Sequence, residues 1–141
     1  MLPTIDWQGD VIVMVDQRNL PAQEVYVRCH SPQEVARAIR TMVIRGAPAI
    51  GVSAAMGLAL GVRLSTAKGT QKLAVEFQKN CDMMAATRPT AVNLFWAIER
   101  MKRVFAEGAQ AGESPGELAA RLEREARAIH DEDVANCRTM G

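Results

Sequence analysis

The chain has 141 residues, 48% of them hydrophobic and 23% charged. That composition supports one globular core and excludes a disordered or low-complexity chain. Seventeen Lys and Arg against sixteen Asp and Glu leave a net charge of +1, which gives no basis for bulk binding to nucleic acid or to an anionic membrane, so any anion recognition has to be local. Cys29, Cys81 and Cys137 are far apart and odd in number, which fits neither a disulfide framework nor zinc-ligand spacing and places the chain in a reducing cytoplasm.

Taken in order, Ile5 and Trp7 alternate with polar neighbours and meet the turn pair Gly9-Asp10. Val11-Ile12-Val13-Met14-Val15 is continuous and rich in β-branched residues, and residues 24–29 alternate again. These read as three short strands in an antiparallel meander, residues 16–21 being a polar connector. Ser31-Pro32-Gln33-Glu34 is a capping box with proline at the first helical position. Val35, Ala38, Ile39 and Met42 then form one apolar helical face, and the helix is expected to end near residue 43.

The chain next reaches Ile44-Arg45-Gly46-Ala47-Pro48-Ala49-Ile50-Gly51. Gly46 and Ala47 let backbone N–H groups come close to a ligand, and Pro48 suits the first helical position. The N–H groups and positive dipole end of the new helix favour an anion, and Arg45 adds a planar fork that matches phosphate or carboxylate. An oxyanion site, phosphate above all, is one reading; an ordinary helix start with a solvated Arg is the other, and these residues alone leave both open. The helix that follows, over 48–64, is apolar nearly all round and should be buried centrally. Its most apolar run, 47–62, is shorter than the roughly 20 residues of a membrane span. Gly57 and Gly61 are expected to serve close packing, whereas at Gly51 access for a ligand competes with packing.

Residues 65–70 form a linker, and a third helix is expected over 71–86 with Leu73, Ala74, Phe77, Cys81 and Met84 facing inward. Arg88-Pro89-Thr90 repeats the order of Arg, proline and helix start. Arg88 alone would be an ordinary surface residue; together with Arg45 it reads as a second clamp on one phosphate. Thr90 can cap the fourth helix, Asn93 is expected to be a capping residue, and Leu94, Ile98, Met101 and Phe105 carry the apolar stripe. Residues 108–112 are expected to form a turn. Ser114-Pro115-Gly116-Glu117 opens a last helix with Leu118, Leu122, Ala126 and Ile129 on one face and Arg121, Glu123, Arg124 and Arg127 solvated on the other. The acidic run Asp131-Glu132-Asp133 has no further ligands at metal-binding spacing, and His30 and His130 stand alone as surface or boundary residues.

Two stretches of this chain, Glu34-Val35-Ala36-Arg37-Ala38-Ile39-Arg40-Thr41-Met42-Val43 with Ile44-Arg45-Gly46-Ala47-Pro48-Ala49-Ile50-Gly51-Val52, and Thr87-Arg88-Pro89-Thr90-Ala91-Val92-Asn93-Leu94, resemble the methylthioribose-1-phosphate isomerases of methionine salvage. Val15-Asp16-Gln17-Arg18-Asn19-Leu20-Pro21 also fits. The regulatory subunits of translation initiation factor 2B and ribose-1,5-bisphosphate isomerase are related in fold, but the Arg-Gly-Ala-Pro-Ala-Ile-Gly run is similar to the methylthioribose enzymes in particular. The resemblance extends over nearly the whole chain and over the N-terminal part of the family's length.

It implies that Arg45, Gly46, Ala47 and Arg88 hold the phosphate of methylthioribose 1-phosphate, that the intact protein is a homodimer, and that a catalytic cysteine and aspartate lie in a Rossmann-like domain beyond Gly141. No catalytic residue is therefore assigned in this chain, to its cysteines, to Asp131 or to Asp133, and no metal or cofactor is expected. The implied reaction moves hydrogen between C2 and C1 of the sugar, through an enediol or by hydride migration. The expected fold is α+β: a β-meander over 1–30 and a bundle of about five helices over 31–141, together one N-terminal domain. No signal peptide pattern opens the chain. Isolated, the chain is expected to be inactive, to bind substrate weakly and to self-associate through apolar surface. Two rivals stand beside the isomerase: a non-catalytic regulatory or nucleotide-sensing relative, and a helical interaction module without a small-molecule site.

Overall fold

The computed structural model describes residues 5–15, 26–41, 47–88 and 91–140, with the backbone alone at 15, 47, 48 and 133–140. Strands β1 (Ile5–Gln8), β2 (Val11–Val15) and β3 (Tyr26–Cys29) form an antiparallel sheet in that order. Gly9, at φ 61°, turns the chain between β1 and β2, a conformation that suits a residue without Cβ. The register pairs Ile5 with Met14, Trp7 with Ile12, and Ile12 with Cys29, so these five side chains share one buried face. The period of two places Asp6, Val13 and Arg28 on the other.

Helices α1 (Pro32–Arg40), α2 (Ala47–Leu64), α3 (Thr70–Thr87), α4 (Val92–Gln110) and α5 (Pro115–Met140) follow. The architecture is the expected α+β arrangement of sheet and helices. Helix α2 is the hub, packed against each of the other four helices and against β1. It is buried from Ile50 to Leu60, as its nearly continuous apolar surface requires. The capping box of α5 forms in full, and that of α1 forms with its return bond shifted one residue before the cap. The Ser31 hydroxyl accepts from the Glu34 N–H at 3.2 Å while the Glu34 carboxylate accepts from the His30 N–H at 2.6 Å. At α5 the two residues pair directly: the Glu117 N–H donates to the Ser114 hydroxyl at 3.3 Å and the Ser114 N–H donates to the Glu117 carboxylate at 3.0 Å.

Gly57 and Gly61 serve close packing as expected. A β-carbon on Gly57 would lie 2.7 Å from Met84 Cε and 2.9 Å from Val35 Cγ1, and one on Gly61 would lie 2.8 Å from Asn80 Nδ2. Helices α1 and α3 therefore sit closer to α2 than side chains there would permit. Phe77 of α3 stacks on Phe105 of α4 with centroids 4.5 Å apart.

Three boundaries differ from expectation. Helix α1 ends at Arg40, short of residue 43, where the backbone of Thr41 leaves helical geometry at φ −87°, ψ 6°, while its N–H and hydroxyl both donate to the Arg37 carbonyl at 2.9 Å. Helix α4 runs through Gly108 to Gln110, and the turn is confined to Ala111 and Gly112, the latter at φ 79°. Gly108 marks a tight helix contact and not a turn: a β-carbon there would lie 2.6 Å from Leu118 Cδ2 and 2.7 Å from Glu113 Oε1. At the other end of α4 the N-cap is Ala91, without a side-chain cap bond, so Asn93 lies inside the first turn and is not the cap. Thr90 lies outside the described residues.

The polar face of α5 is solvated but carries more than local pairs. Arg127 pairs with Glu123 one turn away at 3.2 Å, and Glu123 also accepts from Arg63 of α2 at 2.8 Å. Arg63 reaches Asp10 in the β1–β2 turn at 2.6 Å, and the Arg127 guanidinium lies 5.2 Å from the centroid of the Trp7 ring. This chain of contacts ties the sheet to α2 and α5. Among the described residues no helix is long and apolar enough to cross a membrane.

Candidate functional site

Of the four residues expected to hold phosphate, Ala47 and Arg88 fall within the described residues; Arg45 and Gly46 lie outside them. Ala47 is the first residue of α2. Arg88 is half-buried and caps the C-terminus of α3, and its carbonyl accepts from the N–H of Ala91, the N-cap of α4, at 3.0 Å. Thr87 beside it is buried and donates its hydroxyl hydrogen to the Met84 carbonyl at 2.6 Å, which fixes the backbone from which Arg88 projects.

The starts of α2 and α4 are neighbours. A β-carbon placed on Gly51, one turn into α2, would lie 3.0 Å from the carbonyl oxygen of Asn93, the second residue of α4, and 3.6 Å from Ala97 Cβ. Gly51 thus serves packing: its neighbour is the α4 main chain. Neither helix has an acidic residue in its first turn, so neither helix offsets from within the partial positive charge that main-chain N–H groups leave at its start. Each helix start carries the partial positive charge of its free N–H groups, and Gly51 and Asn93 bring α2 and α4 together close to those starts. Ser53 takes no part, since its buried hydroxyl donates to the Ala49 carbonyl at 2.7 Å.

Two clefts lie elsewhere. One, of about 420 Å³, is lined by Ser31, Gly61, Ser65, Glu76, Lys79 and Asn80 at the far end of α2. The other, of about 330 Å³, lies between β3 and α1 and includes Arg28, Cys29, Glu34 and Arg37. Neither includes Ala47 or Arg88.

The described cysteines do not supply a nucleophile. Cys29 and Cys81 are buried, and burial raises their thiol pKa values to about 11 and about 12, with Glu34 adding to the rise at Cys29. A reactive thiolate needs the opposite environment. Among the described residues no three His, Cys, Asp or Glu side chains gather around a metal site. Glu132 of the acidic run is engaged with Arg100 at 2.6 Å.

The sequence reading missed an apolar patch on the first turns of α4. Val92 is 78% exposed and Trp96 52%, with Phe95 beside them. The signal was present: Val92, Phe95 and Trp96 fall off the stripe of Leu94, Ile98, Met101 and Phe105 that turns inward.

Known proteins share this fold. The chain is 51% identical over 138 residues to the methylthioribose-1-phosphate isomerase of Geobacter metallireducens, covering 98% of this chain and 39% of that protein. To the enzyme of the same name from Koribacter versatilis it is 48% identical over 141 residues, again 39% of the relative. The crystal structure of 5-methylthioribose 1-phosphate isomerase from Pyrococcus horikoshii OT3 superposes with a TM-score of 0.90 at 40% identity, over 94% of this chain and 37% of that one. The delta subunit of translation initiation factor eIF-2B from A. fulgidus superposes with a TM-score of 0.85 at 37% identity, over 95% and 38%. The chain thus spans about two-fifths of the length of the relatives it matches. Residues 43–141, which include both arginines and both helix starts, match the Initiation factor 2 subunit family, and the chain belongs to that family.

Proposed function

We propose that this chain supplies the phosphate-binding part of an aldose–ketose isomerase that converts 5-methylthioribose 1-phosphate to 5-methylthioribulose 1-phosphate. The observation that carries the reading is the contact of Gly51 with Asn93, which puts the starts of α2 and α4 side by side with Arg88 at the entry to one of them. Arg45, Gly46 and Ala47 grip the phosphate at the first helix start and Arg88 at the second. The names of the relatives, at 51% and 48% identity, supply the sugar.

In this reading the phosphate is a handle. It is attached through O1 to C1, one of the two carbons that exchange hydrogen, and holding it orients the reacting end of the sugar. Phosphate on the anomeric oxygen also blocks free ring opening, so a fixed phosphate defines where opening must occur. The acid–base or hydride step is assigned to none of this chain's residues. The sheet over 1–30 and the helices over 31–141 act together as one N-terminal domain of a cytoplasmic homodimer.

The test is a titration of the chain with 5-methylthioribose 1-phosphate, followed through the amide resonances of Gly46, Ala47 and Ala91. Saturable shifts at these amides, reversed by inorganic phosphate, are expected. Shifts driven by a nucleotide in preference to the sugar phosphate would move the assignment to a regulatory relative. No response to any phosphorylated ligand would reduce the chain to an interaction module.

A further inference from the structure

We propose that Gly51 is a positioning residue that sets the spacing between the two helix starts of the phosphate site; the proposal rests on the reading of that site given above. Gly51 is buried one turn into α2. The atoms nearest to where its β-carbon would stand are the Asn93 carbonyl oxygen at 3.0 Å, the Asn93 carbonyl carbon at 3.6 Å and Ala97 Cβ at 3.6 Å. The closest obstacle is therefore main chain of the first turn of α4, which cannot rotate aside as a side chain can.

The other glycines of α2 differ in kind. Gly57 faces Met84 and Val35 side chains, and Gly61 faces Asn80 and Pro32 side chains. A methyl group at Gly57 strains packing against α1 and α3 and leaves α4 in place. A methyl group at Gly51 pushes Asn93, and with it the helix start that Arg88 leads into, away from the start of α2. One anion held by both helix starts then loses its fit to one of them. An anion that keeps one helix start and loses good geometry at the other gives up part of a charge-assisted contact, which should cost on the order of tenfold in affinity.

The experiment compares the wild-type chain with Gly51→Ala and Gly57→Ala. Each is titrated with 5-methylthioribose 1-phosphate by following the Ala47 and Ala91 amides, and each is melted thermally. The dissociation constant of Gly51→Ala should rise on the order of tenfold, while Gly57→Ala loses at least as much thermal stability and stays within about twofold of wild type in affinity. Wild-type affinity in Gly51→Ala, or affinity loss in both variants in step with their melting temperatures, overturns the positioning role and leaves the site reading intact. A wild-type chain whose amides ignore the ligand overturns the site reading, and the positioning role with it. If Gly51→Ala fails to fold, Ala97→Val enlarges the α4 side of the same contact; it should weaken binding to a similar degree, and unchanged affinity there rejects the proposal.

Discussion

Arg100 of α4 holds Glu132 of α5 by both carboxylate oxygens, Nη1 to Oε1 at 3.0 Å and Nη2 to Oε2 at 2.6 Å, while its Nε donates to Glu125 at 2.6 Å. The Trp96 ring lies 5.3 Å from the same guanidinium. The Arg100 side chain is 15% exposed, so the pairs are partly shielded from solvent. The Arg100 hydrogen bonds draw the Glu132 carboxyl below its ordinary value of 4.5. A lowered folded-state pKa contributes stability that is present above the unfolded value and lost as pH falls through the folded one. Arg100→Gln should therefore destabilise the chain by about 1 kcal/mol at pH 7, allowing for screening, or roughly 3 °C in melting temperature. The gap between variant and wild type should narrow below pH 4.5, the ordinary value of Glu132. Thermal melts of both proteins from pH 7 to pH 3 check this; a gap independent of pH would assign the loss to packing on Trp96.

Two glycines should respond to alanine with opposite signs. A β-carbon on Gly57 meets Val35, whose β-branched side chain has little freedom to move, at 2.9 Å to Cγ1 and 3.1 Å to Cβ. Overpacking of this kind costs roughly 1–3 kcal/mol and exceeds the gain of up to about 1 kcal/mol in helix propensity, so Gly57→Ala should lower the urea midpoint. Gly116, in the first turn of α5, has nothing within 4 Å of its would-be β-carbon. Gly116→Ala should raise the midpoint by the equivalent of about 0.5 kcal/mol, chiefly by narrowing the unfolded ensemble.

These glycines also show how much of the fold is legible in the sequence. Local chemistry was readable: Ser31 with Glu34 and Ser114 with Glu117 mark helix starts by hydrogen bonds that span three residues, and the structure forms them. Contacts between elements were not. Gly108 suggests a turn to any local rule, yet it lies within α4, where Leu118 and Arg121 of α5 come close against it. The Trp7–Arg127 contact joins residues at opposite ends of the chain, and no spacing rule reaches that far. Within the candidate site, Arg88 and the proline-led helix starts carry local signals. That Gly51 faces the main chain of Asn93 follows from how two helices cross, which neither segment encodes alone.

The two described cysteines should be inert in the folded chain. Cys29 and Cys81 are at most 1% exposed, and burial raises their pKa values to about 11 and about 12. At pH 8 the thiolate fraction is correspondingly small. Iodoacetamide at that pH should leave both unmodified over hours and label both once urea unfolds the chain, as read by peptide mass mapping. Rapid labelling of Cys81 in the native chain would contradict the packing of α3 against α4.

The strongest consequence of the proposed phosphate site is energetic coupling between its two arginines. Arg88 enters α4 and Arg45 precedes α2, and the Gly51–Asn93 contact sets the two helix starts side by side. If both cations hold one phosphate, removing either leaves the other with an incompletely neutralised dianion. Arg45→Ala and Arg88→Ala should then each weaken binding of the sugar phosphate by about 2 kcal/mol, some thirtyfold. The double variant should lose less than the sum, because the second arginine acts on an anion already poorly seated. Arg88→Lys keeps the charge but not the planar fork, and should recover part of the loss. The cycle is measured by titrating wild type, both single variants and the double variant with the same ligand at one ionic strength. Strict additivity would mean that the two arginines act on separate groups, and unchanged affinity in Arg45→Ala would remove that residue from the site.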